Sequence, residues 1–461
     1  MRIAVCVRMG ADGAPGPFEA SAYELALSVK GAEVILASMG PPAAYDMLSS
    51  LTRLGAREAF LLSDKAFAGA DTLATAYTLA LMMRRLEPDL IFCGRQTLIG
   101  DTGQTPPMLA AFLGYRLVNG VLTLSGDTAI TRSGEEKIDA MSVLTVEKQA
   151  VLRLPSLRSK AAEPTVIGAA ELGADIGRCG IAGSPTRVLG TSENKKGRRH
   201  CRFIATEDLK ETIKNELSRR LTVAEAETKS EARLGKVIAI GRAPLEYAKK
   251  LCDTPEVLES FDEDTIVSEI AKKAPDALLF GNDAGAKALA AHIAARLGLG
   301  LCADCTAVGC EDGRAVFYRP ALSGSLIAKV VSLTRPALAT VRCKAEDENM
   351  TIVAAGYGVR DDLASVRAFA NELSAGLAVS RRLVDAGYAP YSLQAGLTGR
   401  TLSPRVYIAV GISGAVHHIV GMDRSGCVIA VNPDRNAPIF DYADYGIVCE
   451  FNEIKKEFRL C

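Results

Sequence analysis

Short, continuously apolar runs alternate with amphipathic stretches along most of this chain, and that alternation restricts the fold more than any other feature. The runs RIAVCVR (2–8), EVILASM (33–39), EAFLLSD (58–64) and DLIFCG (89–94) carry little polar interruption. Helical patterns at 20–30, 43–54 and 72–86 separate them. A strand with one wet face alternates apolar and polar residues, whereas a strand covered on both faces reads as an unbroken apolar run. Such strands joined by helices form βαβ units, and so a parallel sheet with helices on both faces. The alternation restarts at KVIAIG (236–241) and DALLFG (276–281), with helices predicted at 245–251, 265–272 and 284–297. A more β-rich stretch, 300–343, leads into a third block. That block runs from MTIVAAGYG (350–358) through a helix at 361–373 to VYIAVG (406–411), CVIAVN (427–432) and YGIVCE (445–450). The expected fold class is α/β, in three modules with parallel doubly wound sheets. A length of 461 residues suits two or three domains.

Between 189 and 235 the composition turns polar and charged, with one amphipathic pattern at 207–221. We read a linker carrying a docking helix, which divides the chain into 1–188, 189–235, 236–345 and 350–461. The basic NKKGRRH (194–200) reads as a solvated face. A formal net charge of zero gives no electrostatic reason to expect nucleic acid or an acidic membrane surface. No apolar run is long enough for a membrane span, and the N-terminus lacks a signal-peptide pattern. The twelve cysteines are scattered, with one CxxC at Cys302–Cys305 and no zinc spacing. Buried thiols in a cytoplasmic protein are the expectation.

In open α/β sheets ligands sit beyond the carboxyl ends of the strands. Two such places are rich in glycine and short polar residues. After the strand at 89–94 comes GRQTLIGDTGQTPP, where Gly100 and Gly103 allow close backbone approach. Asp101, Thr102, Gln104 and Thr105 add polar groups there, and Pro106 and Pro107 open a helix whose free N–H groups suit an anion. Asp71 is a plausible N-cap of a neighbouring helix; two capped helices without a ligand remain the alternative. In the C-terminal block, LQAGLTGR (393–400) and VYIAVGISGAVHH (406–418) place two Gly-rich turns around one strand. Gly411 and Gly414 free the backbone at a new helix start, Ser413 adds a hydroxyl, and His417 and His418 follow within a turn. Asn432, Ser380 and Arg381 lie at the ends of neighbouring strands. The set has no metal triad, no Ser-His-Asp arrangement and no paired carboxylates, and it suits a polyanionic cofactor.

The stretches SRRLVDAGY, QAGLTGR, YIAVGISGAVHHIVGM, VIAVNPDRNAPIF and ADYGIV resemble the α subunit of electron transfer flavoprotein. GADTLATA, LIFCGRQTLIGDTGQT, LPSLRSKA and GSPTRV resemble its β subunit, so the chain resembles a β–α fusion. The resemblance implies adenine-nucleotide alpha-hydrolase-like N-terminal and middle domains and a DHS-like, FAD-binding C-terminal domain. It implies FAD contacts from Tyr357, Ser380, Arg381, Gln394, Ala395, Gly396, Leu397, Thr398, Gly399, Gly411, Ser413, Gly414, Ala415, Val416, His417, His418, Asn432 and Asp444. Arg381 and His418 would favour the negative charge that the flavin acquires on reduction. The family's SGGRG turn reads AAGYG here, with Tyr357 in place of arginine, and Leu397 replaces a glutamine. Cys6, Phe18, Met39, Asp71, Thr72 and 100–105 stand where the family holds AMP or, in bifurcating members, a second FAD. The implied function is electron transfer from a dehydrogenase to a redox-protein partner, by a monomer acting as a pseudo-heterodimer whose FAD domain hinges near 345–350. The alternatives are a bifurcating, NADH-oxidising flavoprotein with two FADs and a nucleotide-binding sensor or scaffold without redox activity.

Overall fold

The computed structural model describes residues 1–10, 12–97, 102–131, 134–148, 150–193, 199–218, 233–321, 326–343, 350–396, 399–400, 402–423 and 425–458. Gly100, Asp101, Leu397, Thr398 and nearly all of the expected hinge segment lie outside them. The chain forms two compact units: Met1–Ser192, Ser230–Leu322 and Ile327–Arg342 make one, and Glu193–Lys229, Ser323–Leu326 and Cys343–Cys461 the other.

The first unit is built on a nine-stranded sheet. Its parallel core runs Arg116–Ser125, Ser142–Val146, Leu90–Gly94, Arg2–Cys6, Glu33–Met39, Glu58–Leu62, Thr165–Ile167. Alternate residues feed two cores, one on each face: Ile3, Val5 and Leu36 pack on one side, Ala4, Ile35 and Ala37 on the other. This two-sided burial is why the runs read as unbroken apolar sequence. Two short strands, Thr128–Thr131 and Gly134–Lys137, extend the edge antiparallel. A five-stranded parallel sheet follows, in the order Glu256–Leu258, Val237–Ile240, Ala277–Phe280, Ala337–Val341, Leu301–Cys305. The Cys302–Cys305 pair lies inside the last of these strands, fully covered. Helices Thr72–Leu86 and Thr105–Leu113 share a core with helix Ala284–Leu297 through Leu73, Ala76, Met108, Ala290 and Ile293. The beginning of the β-rich stretch thus joins an α/β sheet, while Ala307–Glu311, Arg314–Ala321 and Leu326–Ser332 line up with Thr186–Glu193 in a four-stranded sheet.

The second unit holds a six-stranded parallel sheet in the order Arg202–Phe203, Tyr445–Ile447, Cys427–Val431, Val406–Val410, Thr351–Ala355, Gly376–Val379. The segment expected as linker supplies its edge strand, and helix Leu209–Ser218 buries Leu209 and Ile213 in the same core as Val406 and Ile408. Arg199 secures this addition. Its guanidinium pairs with Asp444 and donates to the carbonyls of Ser425 (2.6 Å) and Gly426 (3.2 Å).

Candidate functional site

Strand order decides where a crevice opens. In the second unit the chain leaves Thr351–Ala355 for Gly376–Val379 on one flank, then returns to Val406–Val410 on the other. The strand tips Ala355 and Val410 therefore diverge into connections on opposite sides, and a ligand crevice forms at such a switch point. The two turns leaving it touch. A Cβ on Gly356 would lie 2.0 Å from the Gly411 carbonyl oxygen, and the Gly358 N–H donates to that same oxygen at 3.2 Å. Gly411 (φ 63°) and Gly414 (φ 93°) adopt left-handed backbone, and a Cβ on Gly414 would meet the Ile439 nitrogen at 2.2 Å. The glycines are thus required by turn-to-turn packing, which leaves Ser413, Ala415 and Val416 exposed along the rim.

The strand Gly376–Val379 delivers Ser380, whose hydroxyl is buried without a hydrogen-bond partner among the described residues. The Ala395 N–H donates to the Val379 carbonyl (2.9 Å), and the Arg400 N–H donates to that of Gln394 (2.7 Å), so the turn carrying Gln394, Ala395, Gly396 and Gly399 closes onto the same edge. Asn432 follows Val431 and donates through Nδ2 to the Ile412 carbonyl (3.0 Å), tying two tips together. Arg381 pairs with Asp385 at 3.2 Å. Burial and the Arg381 charge hold His417 below the ordinary imidazole range.

His418 is buried, and its Nε2 lies 2.9 Å from the Tyr407 hydroxyl. Burial lowers its pKa to about 4, with the Ala395 backbone pulling slightly the other way. Burial also pushes the Tyr407 phenol far up, so Tyr407 stays protonated and its hydroxyl shares a hydrogen bond with Nε2. His418 is accordingly a neutral ring locked by its own fold, and Arg381 is a cation at this edge. Asp444 does not join the other candidates. It precedes strand Tyr445–Ile447 at the amino end, where it accepts from the Val428 N–H (2.8 Å) and pairs with Arg199. The acidic residue beyond the carboxyl end of that strand is Glu450, which caps helix Phe451–Glu457; the expected run 445–450 included it, whereas the strand ends at Ile447.

In the first unit the corresponding switch point lies between Arg2–Cys6 and Leu90–Gly94, where Cys6 and Cys93 are register partners. Phe18 is buried with the Arg95 guanidinium 5.4 Å from its ring centroid, and Met39 ends the adjacent strand. Asp71 is occupied: one oxygen accepts from the Leu73 and Ala74 N–H groups, the other from the Thr186 hydroxyl (2.7 Å) and N–H (3.1 Å). Thr72 donates to Gln104 (2.8 Å), whose amide donates to the Leu301 carbonyl (3.3 Å). These residues join helices and modules within the unit. Thr102, Gly103 (φ 62°) and Thr105 lead into helix Thr105–Leu113. Sequence reasoning passed over Glu19, a carboxyl that is 4% exposed beside Phe18 and that burial raises to about 7. It also missed the buried Glu147, paired with Arg95 at 2.6 Å.

Among the described residues no helix is long and apolar enough to cross a membrane. Known proteins bear on this geometry directly. The electron transfer flavoprotein domain matches twice, at residues 3–175 and 258–358, and the electron transfer flavoprotein FAD-binding domain matches 347–423. The electron transfer flavoprotein subunit alpha of Bacillus subtilis is 34% identical over 227 residues, which is 40% of this chain and 70% of that protein. Protein FixB of Azotobacter vinelandii is 32% identical over 270 residues, 44% of this chain and 75% of its own. The lactate dehydrogenase (NAD(+),ferredoxin) subunit LctC of Acetobacterium woodii is 34% identical over 233 residues, 41% and 56% respectively. A strand-order switch point with a buried hydroxyl that has no partner among the described residues fits the flavin dinucleotide of that FAD-binding domain, and the chain belongs to the electron transfer flavoprotein family.

Proposed function

We propose that this chain is a fused β–α electron transfer flavoprotein. It would carry one FAD in the second unit and AMP at the first unit's switch point, and pass electrons from a dehydrogenase to a redox-protein acceptor. The observation that carries this reading is the repeated electron transfer flavoprotein domain followed by a single FAD-binding domain. FAD, when bound, supplies reversible uptake of electrons. The chain's own groups would hold and bias it. The buried Ser380 hydroxyl and the backbone of the Ser413–Val416 turn at the rim would supply hydrogen-bond donors. Arg381 provides positive charge where both histidines are neutral, which favours electron-rich states of a bound group. Tyr407 fixes the orientation of His418. The segment 199–218 completes the FAD-binding unit and connects it covalently to the β-like half, so both halves are present in equal numbers.

A second reading is a bifurcating flavoprotein with two FADs, favoured by the likeness to LctC, whose name pairs NAD(+) with ferredoxin. The nucleotide content of protein purified without added cofactor separates the readings. One FAD and one AMP per chain supports the carrier. Two FADs, with bleaching by NADH, supports bifurcation. Colourless protein that takes up no FAD on soaking overturns both and leaves a nucleotide-binding scaffold.

A further inference from the structure

Tyr357 sits on the turn leaving strand Thr351–Ala355, directly at the switch-point crevice of the second unit. Two guanidinium groups lie on its ring, Arg382 with Cζ 4.0 Å from the centroid and Arg360 at 4.9 Å. Their situations differ. Arg360 also pairs with Asp361 at 3.3 Å, and Arg381, one residue before Arg382, pairs with Asp385. Arg382 has no carboxylate partner among the described residues, and it is exposed.

An exposed arginine ordinarily samples many rotamers and is dispersed in solvent. One whose Cζ stands 4.0 Å from an aromatic centroid is held there by cation–π attraction, while the N–H groups directed away from the ring can still donate. That geometry suits bidentate recognition of phosphate. The location suits it as well. Gly356 and Gly358 keep the turn bare of side chains on either side of Tyr357, and this turn abuts Gly411 at the mouth of the crevice.

We infer that Arg382, carried on the ring of Tyr357, is a binding residue for the pyrophosphate of the dinucleotide held at this switch point. The inference rests on the FAD reading above. In it the tyrosine makes no phosphate contact of its own; it is a positioning residue whose ring sets where the guanidinium stands.

The test uses the full chain, stripped of nucleotide, titrated with FAD and with riboflavin, which has the same ring system but no phosphate. Arg382→Ala is expected to weaken FAD about tenfold, the loss of one charge-assisted contact to a solvent-accessible anion, and to leave riboflavin unchanged. Arg382→Lys keeps the charge but not the flat fork and should fall between. Tyr357→Phe should bind FAD as the parent does, whereas Tyr357→Ala should match Arg382→Ala. The gap between parent and Arg382→Ala should shrink in 0.5 M KCl, by ~0.5 M ionic strength screening. Equal FAD affinity in parent and Arg382→Ala overturns the inference, as does a parallel loss of FAD and riboflavin or a gap indifferent to salt. Parent protein that binds neither flavin would instead overturn the FAD reading itself.

Discussion

Replacing Glu19 by glutamine should stabilise the first unit above neutral pH and leave it unchanged in mild acid. Glu19 lies in the first turn of helix Pro17–Ser28, 4% exposed. Burial raises its pKa from the ordinary 4.5 to about 7, against the opposing pull of its own backbone N–H and of Arg8. A hydrogen bond with Cys6 and burial push the neighbouring Cys93 thiol well up, and the Glu19 charge adds to this. Because the folded pKa is raised, the folded protein holds a proton that the unfolded chain releases between about pH 4.5 and 7. Stability is therefore full below 4.5, is lost as pH rises through 7, and is flat beyond. Two and a half pH units at about 1.36 kcal/mol each amount to about 3 kcal/mol. Glutamine cannot ionise, so Glu19→Gln should exceed the parent by up to ~3 kcal/mol at pH 8 and match it at pH 4.5 to 5. Urea unfolding followed by circular dichroism at both pH values measures this, with a midpoint shift of about 1 M at pH 8. A difference that is the same at both pH values, or a less stable variant at pH 8, would refute the burial argument.

Tyr407→Phe removes the hydroxyl from His418 Nε2 and leaves a buried ring nitrogen without it, for a cost of about 1–3 kcal/mol; the variant's melting temperature should drop and its FAD occupancy fall, and an unchanged melt would contradict the lock. Gly414→Ala places a methyl 2.2 Å from the Ile439 nitrogen at a φ of 93°; loss of soluble, FAD-containing protein is expected, and a well-folded yellow variant would show that the turn tolerates a side chain. Arg199→Ala strips Asp444 of its cation and the carbonyls of Ser425 and Gly426 of a donor, so amide exchange should accelerate at Arg202–Phe203 and Leu209–Ser218 while the strands Val406–Val410 and Cys427–Val431 keep their protection.

Much of the architecture is legible in composition along one dimension. Helices Thr72–Leu86, Leu245–Leu251 and Ala284–Leu297 and strand Glu33–Met39 fall on their expected ranges, because a residue's periodicity reports which side is buried. The helix at Pro17 begins earlier than its apolar pattern suggests, since proline suits a first helical turn but carries no periodic signal. The Gly-rich turns at 396, 411 and 414 are likewise legible as candidates for a crevice. Strand order is not. Which tips meet depends on whether Val406–Val410 returns beside Thr351–Ala355 or beyond Gly376–Val379, and both arrangements use the same runs of sequence. That order separates Asp444, at the amino end of its strand with Arg199, from Ser380 and Asn432 at the carboxyl edge. It also brings Arg382 onto Tyr357, although they are 25 positions apart. The protonation of His418 and Glu19 was beyond the sequence for a related reason. Residue type sets an ordinary pKa, but the sign and size of its change come from water excluded by neighbours that only the packed chain supplies.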